Sequence, residues 1–189
     1  MTETAADGRA AEKRRRILQS AWRLALRVGL RGATMEGLAR EAGIAKGTLY
    51  AQFPDKEAVL GAVIDDRLVE LEAAFAGGMG DEGSAAERIG AALAAKYSFI
   101  MDAVEGSPHA NEILNVHHEF AARFAALDRG IEARVAAALA DAGAANPASL
   151  ASLAIGAADG VARRLREPAV VDAAIRLLCR RLIEPETRR

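Results

Sequence analysis

The sequence has one cysteine, Cys179, so no disulfide can close within the chain, and the bridged frameworks of small secreted domains are excluded. Aromatic residues make up only 4% of it. Period-two runs of Val, Ile and Thr are missing, which removes the usual signature of half-buried strands. No stretch of about 18 residues is both apolar and uncharged, so no membrane span is expected. The opening MTETAADGRAAEKRRR has no apolar segment of the kind a secretory signal needs. There is no Gly-rich phosphate loop, no nucleophile elbow and no convincing pair of carboxylates, and Asp65-Asp66 reads as a solvated helix face. These absences point to a cytoplasmic protein that is not an enzyme and uses no cofactor.

What the chain has is alanine and leucine, the best helix formers, within a hydrophobic fraction of 51% over 189 residues. The expected fold is all-α, with about nine helices. Ile17, Ala21, Leu24, Ala25 and Val28 recur at helical spacing, and Gly29 is placed to stop that helix. Thr34 is a good N-cap for a short second helix, Gly43 ends it, and a third short helix runs to about Phe53. Asp55 caps a fourth, through Val59, Leu60, Val63, Ile64, Leu68 and Leu71. AGGMGDEGS then reads as the clearest breaker run. Ser84 and Glu87 form a capping box for a fifth helix, and Ser107-Pro108 opens the next. The pattern through Phe120, Phe124, Leu127, Ile131, Val135 and Leu139 ends at Gly143; Pro147 and Pro168 open the last two helices, and Pro185 closes the final one. The expected organisation is a disordered tail over residues 1–12, a first helical domain over 13–60 and a second helical domain over 61–189, with the fourth helix linking the two.

The net charge is −1, but it is unevenly spread. Residues 1–60 hold eleven basic and seven acidic side chains, a net of +4, which leaves −5 for the rest. A basic first third on an acidic body suits a polyanionic partner.

The stretch AREAGIAKGTLYAQF, residues 39–53, gives that partner an identity. Ala39 is small enough for a close helix crossing, Gly43 permits a tight turn, and Leu49, with Leu38, Ile44 and Phe53, supplies an inner apolar face. That is the spacing of a helix-turn-helix. The outward residues are Lys46, Gly47, Thr48, Tyr50 and Gln52. Four of these side chains donate to phosphates or base edges, and the glycine admits close backbone approach. Thr34 and Lys56 sit at helix N-termini, where free N–H groups suit a phosphate. The basic run Arg14-Arg15-Arg16 precedes the first helix and suits the DNA backbone or minor groove.

Here the sequence resembles a family. TMEGLAREAGIAKGTLYAQFPDKEAVL looks like the DNA-binding segment of the TetR family of bacterial one-component regulators, and RRRILQSAWRLALRVGLRGAT looks like that family's first helix. The resemblance covers about residues 13–64. It implies a homodimeric regulator, most often a repressor, that binds palindromic double-stranded DNA and is released by a small molecule. Carried over by position, Thr34, Lys46, Thr48, Tyr50, Gln52 and Lys56 would touch DNA, Tyr50 and Lys56 mainly at phosphates. Two positions depart from the family. Ala45 stands where a polar cap is usual, and Gln52 where histidine is frequent.

In the C-terminal half, the resemblance implies that the last two helices form a dimer interface. The candidate residues are Leu153, Gly156, Ala157, Gly160, Val161, Ile175, Leu178, Cys179 and Leu182. Gly156 and Gly160, four apart, suggest a close helix approach. His109, His117 and His118 lie within ten positions. No two are at i, i+3 or i, i+4, so a ligand pocket with Tyr97, Ile100, Ile113, Phe120 and Phe124 is preferred to a metal site. A metal-binding sensor or helical enzyme built on these histidines is the alternative, together with a structural dimer that has lost DNA binding.

Overall fold

The computed structural model describes residues 3–80, 82–115, 120–165 and 167–187. Among them there are nine helices and no strand: α1 (Glu3–Gly32), α2 (Met35–Ala42), α3 (Lys46–Tyr50), α4 (Lys56–Met79), α5 (Ala85–Ala103), α6 (Ala110–Leu114), α7 (Ala121–Asp141), α8 (Pro147–Arg164) and α9 (Pro168–Thr187). The all-α expectation holds. None of these helices is long and apolar enough to cross a membrane.

The chain divides into two compact units. The first comprises Met1–Arg67 and Val104–Ala121, the second Leu68–Ala103 and Ala122–Arg189. The division falls inside α4, between Arg67 and Leu68, and α6 belongs to the first unit.

In the first unit, Ile17, Leu18, Ala21 and Leu24 of α1 form one core with Leu38, Ala39 and Ala42 of α2, Leu49 of α3, Phe53, and Val59 and Val63 of α4. The helical periodicity of these residues is what gathers them. Helix α1 starts at Glu3, so it includes residues 3–12 of the stretch expected to be a disordered tail. Gly29, at φ +78°, interrupts it where the sequence placed its end. The α6 segment docks beside this kink. Ser107 Oγ donates to the Leu26 carbonyl (2.7 Å), and a Glu112 carboxylate oxygen accepts from the Arg31 N–H (2.9 Å). A side chain on Gly29 would collide with that carboxylate and with His109. Ser107 accepts from the His109 N–H, and the helix begins at Ala110, two residues later than Pro108 suggested.

In the second unit, α5 packs along α9, and α8 along α9. Ile89, Leu93 and Tyr97 of α5, Ile131, Val135 and Leu139 of α7, Ala151, Ala154 and Ala158 of α8, and Val171, Ile175, Cys179 and Ile183 of α9 share one core with Phe75 of α4. The Ser84–Glu87 capping box forms as expected. Two breaker readings do not hold. α4 continues through Gly77 and Gly78 to Met79, and α9 continues through Pro185 to Thr187. Gly78 is there for contact: a Cβ at that position would lie 2.5 Å from the Ala92 nitrogen. Pro185 lies in the last turn of α9, where the helix has little left to lose.

Candidate nucleic-acid interface

Thr34 caps α2, its Oγ1 accepting from the Gly37 N–H at 3.0 Å. Gly43 follows in the left-handed region (φ 64°, ψ 37°). The Gly43 and Ile44 N–H groups donate to the carbonyls of Arg40 (3.2 Å) and Ala39 (3.0 Å) and close the end of α2. Ala45 then has the backbone of an N-cap without a side chain able to cap, so backbone bonds to the Ala45 carbonyl hold the first turn of α3. Leu49 is fully buried beneath α3, and this anchor turns the opposite face outward. Lys46 and Tyr50, one turn apart, are exposed there, Tyr50 by 47%. Around Gly47 the space is open. Thr48 and Gln52 are half-buried at the edges. Lys56 is the first residue of α4, and its Nζ donates to the Arg31 carbonyl at 3.4 Å. The Arg14 guanidinium lies 4.7 Å from the centre of the Phe53 ring, just past α3.

The cations of this unit are less open than their number in the sequence suggests. Lys46 Nζ lies 2.9 Å from Glu36 Oε1 on α2. That hydrogen bond and the lysine charge hold the Glu36 carboxyl below its ordinary range and raise Lys46 in turn. On the other side of α2, Glu41 engages Arg27 at 2.5 Å and Arg23 at 4.0 Å, and the Arg27 hydrogen bond lowers its pKa too. Arg15 pairs with Glu12 at 2.8 Å. The Glu12–Arg15 pair was readable from its i, i+3 spacing. The partners of Lys46 and Arg27 were not, because they lie 10 and 14 residues away.

The other candidate residues are less gathered. Of the pocket residues, Tyr97, Ile100 and Phe124 belong to the second unit, Ile113 and Phe120 to the first. His117 and His118 lie outside the described residues. Tyr97 is buried, and burial together with the charge of Asp159 pushes its phenol above its ordinary range. His109 faces Glu112 at 3.5 Å, and among the described residues no group of three or more His, Cys, Asp or Glu is placed to hold a metal. On α8, Leu153, Gly156 and Gly160 are exposed and Ala157 and Val161 half-buried; on α9, Leu178 and Leu182 are half-buried. Among the described residues nothing approaches Gly156 or Gly160, so the close packing expected of them does not occur within one copy. Ile175 and Cys179 are corrected. Both are fully buried against their own chain, where Cys179 Cβ lies 3.3 Å from the place a Cβ of Gly90 would take. They occupy the inner stripe of α9, while Val170 and Leu177, which the sequence pattern did not single out for an interface, are exposed by 44% and 52%.

Residues 17–63 match the family model described as bacterial regulatory proteins, tetR family. Two curated regulators of Pseudomonas putida are similar over 82 residues at 38% identity: the HTH-type transcriptional regulator SrpR and the uncharacterized HTH-type transcriptional regulator TtgW. The match takes in 43% of this chain, but only 38% and 60% of theirs. Among solved structures, a putative TetR-family regulator from Rhodococcus sp. aligns with a TM-score of 0.71 at 19% identity, over 92% of this chain and all of the other. A TetR-family regulator from Streptomyces coelicolor aligns at 0.69 and 18%, over 98% and 96%. The fatty acid degradation regulator FadR from Bacillus halodurans aligns at 0.66 and 15%, over 94% and 97%. At these identities the structural likeness is one of fold.

Proposed function

We propose, from the match of residues 17–63 to the model of bacterial regulatory proteins of the tetR family, that the chain is a cytoplasmic TetR-type transcriptional repressor that binds a palindromic operator as a homodimer. The observation that supports this most is the construction of α3: Leu49 buried beneath it, and Lys46, Gly47 and Tyr50 turned outward. This short helix would enter the major groove, with Thr48 and Gln52 at its edges and Thr34 and Lys56 on the flanking phosphates.

A dimer would present two such helices to successive major grooves, about 34 Å apart. The exposed stripe of Leu153, Gly156 and Gly160 on α8, flanked by half-buried Ala157 and continued by Val170 and Leu177 on α9, is the surface we assign to the second copy. A small-molecule effector acting on the second unit, with Tyr97, Ile100 and Phe124 in contact, would favour a state whose recognition helices are wrongly spaced. Selection of bound duplexes from a random pool, followed by salt titration of the winner, tests the reading. A palindromic winner whose affinity falls steeply with salt supports it. A pool without enrichment overturns it.

A further inference from the structure

Resting on that reading, we propose that Glu36 is a built-in competitor of the DNA phosphate for Lys46, and that it sets how much Lys46 contributes to binding. The two side chains meet across the turn from different helices, ten residues apart, at 2.9 Å. That length is typical of a charge-assisted N–H···O bond, and a carboxylate offers a lysine a negative charge and oxygen acceptors as one edge of a phosphate does. Both are well exposed, Glu36 by 76% and Lys46 by 52% of the side chain, so an arriving phosphate reaches the lysine by displacing this partner. Arg40, on the same helix as Glu36, adds a second positive charge to its surroundings. Tyr50 lies one turn on from Lys46 and also acts on it.

The consequence is thermodynamic. In the free protein Lys46 already has an anion. Its net gain on DNA is the phosphate contact less the Glu36 contact. With the carboxylate neutralised, the whole phosphate contact counts. A phosphate contact conveys no base identity, so the gain applies to operator and unrelated duplex alike.

The test is a double-mutant cycle of native chain, Glu36→Gln, Lys46→Ala and the double variant. Each is titrated with the selected operator and with an unrelated duplex at several salt concentrations, after thermal melting shows that each is folded. Glu36→Gln is expected to tighten both complexes roughly three- to tenfold. The decisive figure is the cost of Lys46→Ala, expected to be several-fold larger in the Glu36→Gln background than in the native one. Equal costs in the two backgrounds, or a weaker complex on Glu36→Gln, would overturn the competition while leaving the DNA-binding reading intact. No binding by either the native chain or the Glu36→Gln variant would overturn both.

Discussion

Gly78 of α4 and Ala92 of α5 meet backbone to backbone: a Cβ on Gly78 would lie 2.5 Å from the Ala92 nitrogen and 2.6 Å from its Cα. Backbone cannot step aside as a side-chain tip can, so the two helices would have to move apart. Gly78→Ala is expected to destabilise the chain by about 1–3 kcal/mol, the usual cost of overpacking. Its neighbour is the control. Gly77 has nothing within 4 Å among the described residues, so Gly77→Ala is expected to stabilise α4 by up to about 1 kcal/mol through helix propensity alone. Denaturant unfolding of the two variants should give opposite signs.

That pair also shows what the sequence could and could not say. The core of the first unit was readable nearly residue by residue. Its apolar spacing is regular, and its turns use residues whose chemistry is unambiguous: Thr34 as a cap, Gly43 in the left-handed region, Asp55 accepting from the Ala58 N–H at 2.7 Å. The glycine run of α4 misled because a glycine that breaks a helix and one that admits a neighbouring helix are the same letter. Ile175 and Cys179 misled for a related reason. Periodicity shows that α9 has an apolar stripe, but not which side of a two-sided helix faces its own chain and which faces a second copy. The Glu36 contact was hidden because it depends on the crossing of two helices and not on spacing within one.

The missing cap on α3 can be supplied. Ala45 has φ −64° and ψ 143°, the extended backbone a capping serine uses, with no side-chain hydrogen bond. Ala45→Ser is expected to stabilise the first unit by about 0.5–1 kcal/mol, and Thr34→Ala to destabilise it by about 1 kcal/mol. Trp22, the sole tryptophan, lies in this unit and reports its unfolding by fluorescence.

On the exposed face of α3, Tyr50→Phe removes one hydroxyl from a side chain that is 47% exposed. It should leave the melting temperature unchanged and weaken operator binding several-fold, as the loss of one phosphate hydrogen bond would. Lys46→Ala should do the same and also lower the salt slope. Fluorescence anisotropy of a labelled operator measures both, and an operator affinity unchanged by either variant would remove α3 from the interface.

The apolar stripe of α8 and α9 is expected to respond to charge according to the side of the helix. Leu153→Arg and Leu177→Arg place a cation on side chains exposed by 55% and 52% in the single chain. They should leave the fold intact and convert the proposed dimer to monomer in sedimentation equilibrium, because an interface core tolerates no unpaired charge. Ile175→Arg, at a position with no exposure in the single chain, should instead unfold the second unit.

Cys179 gives the stability of the chain a definite dependence on pH. Burial pushes its thiol up from an ordinary value of 9.0 to about 11. Below about pH 9 both folded and unfolded chains keep the thiol proton, and stability is unaffected by it. Between these two values the unfolded thiol ionises while the folded one does not, so the unfolded chain is favoured by about 1.4 kcal/mol for each pH unit crossed. Above about 11 both are ionised and the loss stops growing. Cys179→Ala lacks this component. The buried phenol of Tyr97 titrates in the same direction in both proteins and cancels in the comparison. Urea unfolding of the native chain and of Cys179→Ala at about pH 8, 9.5 and 10.5 should therefore show the native chain losing ground to the variant once the ordinary thiol value is passed. Parallel curves across that range would mean that Cys179 reaches solvent in the folded protein, and that α9 does not pack on α5 as described.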